Sequence, residues 1–132
     1  MITFLCTFSL FGGFGICGVP ENMISAIQAT NTKNHIVISN DAGTNSRGLG
    51  LLINNNQVKR VVSSYVGENT EVKRHYMAGE LEVELVPQGT LAEKLRAGGS
   101  GIPAFYTRTG VETIIETGGL PIKYDSQSNP TL

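Results

Sequence analysis

Apolar side chains fill most of the first twenty positions, and the first charged residue is Glu21. Ile2 to Phe11, rich in Phe, Leu and Ile, predicts a strand covered on both faces, since a half-exposed strand would alternate. A loop follows, Gly12-Gly13-Phe14-Gly15-Ile16-Cys17-Gly18-Val19. Pro20 suits a helix start, where its missing N–H is not needed, and Glu21 complements the positive helix end. That helix is expected to reach about Ala29 and to bury Met23 and Ile27. His35 to Ser39 is a β-branched run and a second strand, closed by the turn Asn40-Asp41-Ala42-Gly43.

Gly48 to Asn55 predicts a short helix, with Gly50 as its weak point. Val58 to Val66 reads as a third strand. Glu68 to Ala78 places Val72, Tyr76 and Met77 at helical spacing, and Gly79 is a natural stop. Leu81 to Val86 alternates with period two, which predicts a strand turning Glu82 and Glu84, with Glu80 before them, towards water. Thr90-Leu91-Ala92-Glu93 matches a capping box for a helix to Arg96 or Ala97, ended by Gly98-Gly99-Ser100-Gly101. Ile102 to Thr107, Val111 to Glu116 and Pro121 to Tyr124 read as short extended segments. Asp125 to Leu132 is a polar tail.

Strands alternating with helices at short spacing predict an α/β fold, an open, mainly parallel sheet flanked by helices. At 132 residues the chain makes one domain, expected over residues 1–124 with the tail beyond it. The apolar opening lacks the basic start of a signal peptide. Gly12, Gly13, Gly15, Gly18 and Pro20 interrupt it too soon for a membrane span. A formal net charge of −1 argues against nucleic-acid binding. Cys6 and Cys17 are too few for a disulfide scaffold and sit among apolar neighbours, so both are expected as buried free thiols. With only His35 and His75 beside them, no metal site is expected. Glycine is the anomaly: 16 residues, well above the usual share of roughly 7%, clustered as in loops that approach a ligand or another subunit closely.

One cluster carries a motif. Gly13-x-Gly15-x-x-Gly18 follows a predicted strand, opens a predicted helix and is trailed by Asp41 after the second strand. That is the layout of a dinucleotide-binding module, with Asp41 on a ribose. The extra Gly12 and the early Pro20 depart from it, and the same glycines would serve a plain tight turn. Both readings stay open on spacing alone. Lys59-Arg60 and Lys73-Arg74 read as solvated faces.

The longer string Gly12-Gly13-Phe14-Gly15-Ile16-Cys17-Gly18-Val19-Pro20-Glu21-Asn22 closely resembles the glycine loop of the family I coenzyme A transferases. Ser39-Asn40-Asp41-Ala42-Gly43, Ser63-Ser64-Tyr65-Val66-Gly67-Glu68-Asn69, Gly79 to Leu85 and Pro87-Gln88-Gly89-Thr90-Leu91-Ala92-Glu93 follow in that family's order. Arg96 to Thr107 and Gly118-Gly119-Leu120-Pro121-Ile122-Lys123-Tyr124 complete a match from Gly12 to about Tyr124. The resemblance is to the N-terminal or α half, and it implies CoA exchange between carboxylic acids, with succinyl-CoA and acetoacetate as the pair. A glutamate in a Ser-Glu-Asn-Gly segment of the β half would be the nucleophile, so no catalytic residue is expected in this chain, and Glu68 is read as a helix-start residue.

Asn40, Gln88, Gly13 and Gly15 are the substrate-binding candidates the resemblance implies, with no metal and no cofactor. The expected partners are a β half or β subunit in a homodimer or heteromer, in the mitochondrial matrix, or in the cytoplasm if bacterial, with no nucleic acid and no membrane. Asp41 stands where the family has a second Asn, and a negative charge there is unfavourable to anionic substrates unless it points away or is paired. The match begins and ends short of a full α half, which leaves room for a fragment that only associates with other transferase chains.

Overall fold

A computed structural model describes residues 7–125, 127 and 129–131. Four strands, β1 (Phe8–Phe11), β2 (His35–Asp41), β3 (Val58–Tyr65) and β4 (Glu82–Leu85), alternate with four helices. These are α1 (Glu21–Thr30), α2 (Gly50–Asn54), α3 (Thr70–Met77) and α4 (Gln88–Gly99). The sheet is parallel throughout and runs in the order β1-β2-β3-β4. Right-handed crossovers in an unreversed order put successive helices on one face, and α1 packs on α2 and α2 on α3.

Strand periodicity separates two faces. Val37, Val61 and Val83 stand side by side in register and are buried. With Ile24 of α1, Leu52 and Ile53 of α2 and Val72 of α3 they form the core. The register rows Phe8–Ile36–Arg60–Glu82 and Leu10–Ile38–Val62–Glu84 make the opposite face. That face is apolar at β1 and ionic at β4.

The strands and the first three helices lie where the hydrophobic pattern put them, with ends moved by a few residues. Only Phe8–Phe11 of the expected first strand is assigned, and residues 1–6 lie outside the described residues. In α1 the buried residue is Ile24, while Met23 is 63% exposed. Gly13, Gly15 and Gly18 all have positive φ, and Phe14 and Cys17 close the loop between them by paired backbone bonds of 2.9 and 3.0 Å. This turn throws Cys17 into solvent, correcting the expectation of a buried thiol; Cys6 lies outside the described residues.

The acidic face of β4 also differs from expectation. Glu84 meets Arg60 at 2.7 Å and Lys94 at 3.5 Å, and Glu82 lies 3.9 Å from Arg60 and 3.7 Å from Lys123. Arg60 is its in-register neighbour, a relation invisible along the chain. Arg74 likewise pairs with Glu71 at 2.8 Å.

Helix α4 starts before the capping box. Pro87, at φ −53° and ψ 139°, is the N-cap residue, and its carbonyl accepts from Leu91 at 2.9 Å. Thr90 therefore lies inside the helix with its hydroxyl oxygen buried and unpartnered. The helix runs on through Gly98 and Gly99 and ends in a Schellman turn. There Ile102 N–H reaches the Ala97 carbonyl at 2.9 Å, and Gly101 adopts φ 68°.

Residues 102–120 contain no strand. Glu112 and Gly110, Gly118 and Gly119 take positive φ, which curls the expected extended segment Val111 to Glu116 into turns. The chain then returns to the sheet. Val83 N–H donates to the Ile122 carbonyl at 2.9 Å, and Tyr76 and Tyr124 meet edge-on at 5.0 Å. The Tyr76 phenol donates to the Pro121 carbonyl, and burial pushes its pKa up to about 12.

Candidate functional site

The C-terminal ends of parallel strands leave backbone groups and loop side chains pointing out of the sheet, and ligands gather there. In this chain β1 runs into Gly12 and Gly13, β2 brings Ser39 and Asn40, and α4 enters from across the sheet with Gln88. Together with Leu10, Phe11, Ile38, Leu91, Ala92 and Leu95 they line a cleft of about 200 Å³. Three of the four substrate-binding candidates, Asn40, Gln88 and Gly13, thus share one wall. Gly15 does not line it; it lies in the turn beyond, at φ 58°.

The cleft lining is mostly apolar, with Leu10, Ile38, Leu91 and Leu95, and carries the neutral amides of Asn40 and Gln88. None of the described residues lining it is charged. The Asn40 backbone is held from behind, its carbonyl accepting from the Ser63 hydroxyl at 3.0 Å. Gln88 accepts at Oε1 from the Ser64 hydroxyl at 2.7 Å. In the sequence these two serines stand out only as part of a motif. Their signal is the strand period, which turns neighbours on β3 to opposite faces.

Asp41 follows Asn40 and therefore turns away from it. Its Oδ1 accepts from Gly43 N–H at 2.6 Å, an Asx turn that keeps the carboxylate in its own loop. Burial raises its pKa above the ordinary 3.8; the Gly43 bond works against the rise and the Glu68 charge adds to it. A raised carboxyl pKa means that the folded chain holds its proton longer than the unfolded one. Stability therefore falls as pH climbs from about 3.8 through the folded value. Asp41→Asn keeps the acceptor for Gly43 and removes the charge, so its Tm should exceed the parent's at pH 7. The two should converge near pH 4, and melts at both values check this.

The helix end after the glycine motif is largely engaged by its own chain. Backbone N–H groups of Met23 and Ile24 bond to the Pro20 carbonyl, and Glu21 N–H to Val19. The Glu21 carboxylate lies at this end, 3.6 Å from Arg47 and 3.4 Å from Gly48 N. A dinucleotide would need the end for pyrophosphate and Asp41 for ribose. Here one is met by an acidic side chain and the other is engaged in its own turn. In addition, β4 lies beyond β3 rather than beside β1, as a dinucleotide fold requires.

Comparison with known proteins gives the same direction. The family model described as coenzyme A transferase matches residues 9–128. The chain belongs to the coenzyme A transferase family. Human succinyl-CoA:3-ketoacid coenzyme A transferase 2, mitochondrial, is 56% identical over 114 residues, covering 86% of this chain and 22% of the relative. A chain of Bacillus subtilis, named as one subunit of a probable succinyl-CoA:3-ketoacid coenzyme A transferase, is 57% identical over 107 residues, covering 81% and 45%. This transferase chain therefore spans less than half the length of either relative. A solved Escherichia coli acyl-CoA transferase apoenzyme superposes with a TM-score of 0.75 at 20% identity, over 89% of this chain and 24% of that one. At that identity the likeness concerns the fold.

Proposed function

We propose that this chain is the α portion of a 3-oxoacid CoA-transferase that moves CoA from succinyl-CoA to acetoacetate. The cleft carries the reading: it offers Asn40 and Gln88 as neutral donors, and none of its described lining residues bears a carboxylate. A carboxylate nucleophile must then come from a β portion, which the naming of bacterial relatives as single subunits of the transferase supports. That glutamate attacks the thioester carbonyl of succinyl-CoA, expelling the CoA thiolate and forming a mixed anhydride. The thiolate attacks the glutamyl carbonyl, releasing succinate and leaving a glutamyl-CoA thioester. Acetoacetate repeats the two steps in reverse, taking the CoA and restoring the glutamate. Amide N–H groups of the cleft lining stabilise the negative oxygen that develops at each attack.

The setting is a mitochondrial matrix, as the naming of the human relative suggests, or a bacterial cytoplasm. Among the described residues no helix is long and apolar enough to cross a membrane. The test is co-expression with the β chain of a transferase, followed by assay of acetoacetyl-CoA formation. Asn40→Ala and Gln88→Ala should each lower the rate about a hundredfold at unchanged Tm. Parent rates in both variants would remove this cleft from the reaction, and tight NADH binding without CoA transfer would overturn the reading as a whole.

A further inference from the structure

A side-chain amide is useful in a cleft only if its orientation is fixed, because rotation by half a turn exchanges a donor for an acceptor. Gln88 sits at the first turn of α4, exposed and lining the cleft. Nothing in the helix itself fixes the amide. The tie comes from β3, where the Ser64 hydroxyl donates to Gln88 Oε1 at 2.7 Å.

We propose that Ser64 is a positioning residue for the transfer reaction, holding the Gln88 amide so that its N–H₂ group faces the bound acyl group. This rests on the reading of the cleft given above. The geometry of β3 supports it independently of any ligand. Ser63 and Ser64 are neighbours at the C-terminal end of the strand, and the strand period sends them to opposite faces. Ser63, fully buried, reaches the Asn40 carbonyl from the helix side. Ser64, on the opposite face and outside the cleft lining, reaches Gln88. One dipeptide thus ties the two elements that bear the cleft amides, β2 through its backbone and α4 through its side chain.

The chemistry follows from the polarity of the contact. With Oε1 taken by the serine, Gln88 has Nε2 left, and no described residue accepts from it. A hydroxyl donated to the amide oxygen also polarises the amide and strengthens its N–H groups as donors. The site therefore discriminates in favour of anionic oxygen, the species formed as a thioester or anhydride carbonyl is attacked. A neutral ground-state carbonyl accepts the same bond more weakly.

The experiment uses the full chain co-expressed with the β chain of a transferase and compares four variants in acetoacetyl-CoA formation. Ser64→Ala should lower kcat about tenfold, the scale of one hydrogen bond, with Tm unchanged. Ser64→Thr, which keeps the hydroxyl, should recover most of the rate. Ser64→Ala should add nothing on a Gln88→Ala background, since the serine acts only through that amide. A slow Gln88→Ala with a parent-rate Ser64→Ala would overturn the positioning role and leave the cleft assignment standing. A parent-rate Gln88→Ala would remove Gln88 from the reaction and this inference with it, while a slow Asn40→Ala would leave the cleft assignment standing. A second measurement is free of turnover: in nitrogen-15 spectra the Gln88 side-chain amide signals should move on Ser64→Ala and not on Ser64→Thr. Unmoved signals would also overturn the role.

Discussion

Gly50→Ala should remove a large share of the chain's stability at 25 °C. Gly50 opens α2 and is buried, and a Cβ there would lie 1.7 Å from the Thr44 carbonyl oxygen and 2.8 Å from its carbon. Neither atom can swing aside as a side-chain tip would. Thr44 and Arg47 close a turn through reciprocal backbone bonds of 3.2 and 3.4 Å, and Gly43 packs against that turn from the other side at φ 72°. Moving Thr44 means opening the turn and shifting the chain that follows Asn40 and Asp41. The expected loss exceeds about 4 kcal/mol, in the range reserved for gross steric conflict, against a whole stability of about 5–15 kcal/mol. Far-UV circular dichroism with urea titration reads it directly. Gly98→Ala is the control, because a Cβ there meets nothing within 4 Å. A cooperative transition at the parent midpoint for Gly50→Ala would show that the close approach is not required.

Asn69→Ala should cost about 2–4 kcal/mol through two lost hydrogen bonds. Asn69 is fully buried before α3, accepting from Val72 N–H at 3.1 Å and donating to the Ala42 carbonyl at 3.2 Å. The first bond caps the helix; its loss alone typically costs about 1 kcal/mol. The second leaves a carbonyl facing protein without a donor, at about 1–3 kcal/mol. Asn69→Ser keeps a cap acceptor without the reach to Ala42, so it should fall between parent and alanine. Urea midpoints at constant m-value measure the series. Equal midpoints for the serine and alanine variants would assign the whole loss to the Ala42 bond. Because Ala42 adjoins Asn40 and Asp41, this buried amide also fixes the loop from which the cleft rises.

Much of the fold is legible in the sequence, because the valines that form the core announce themselves by period. Val37, Val61 and Val83 come from three runs whose alternation or β-branching is visible in the chain. What escaped that reading depends on neighbours far along the chain. Thr90 and Glu93 have a capping-box spacing, yet Pro87 opens the helix first and Glu93 pairs with Arg96 at 2.5 Å instead. Glu82 and Glu84 have the alternation of a wet strand face, but the register of β3 sets Arg60 beside them. Gly50 counted against its helix on propensity, whereas the structure requires it for space. The candidate site divides in the same way. Asn40 and Gln88 stand out through the motifs they sit in, but nothing local says that they share a cleft. Nor does it reveal the serines behind them, since that juxtaposition is made by the crossovers of the sheet.

The unreversed strand order bears on how the sheet is assembled. Phe8 meets Ile36, Ile36 lies next to Arg60, and Arg60 meets Glu82, so each pairing closes over a single strand–helix unit. Loop-closure entropy rises slowly with length but is lowest for such short circuits, and local contacts favour fast folding. A nascent chain leaving the ribosome can therefore add one strand at a time to an existing edge, each new strand finding its place beside the one made just before it.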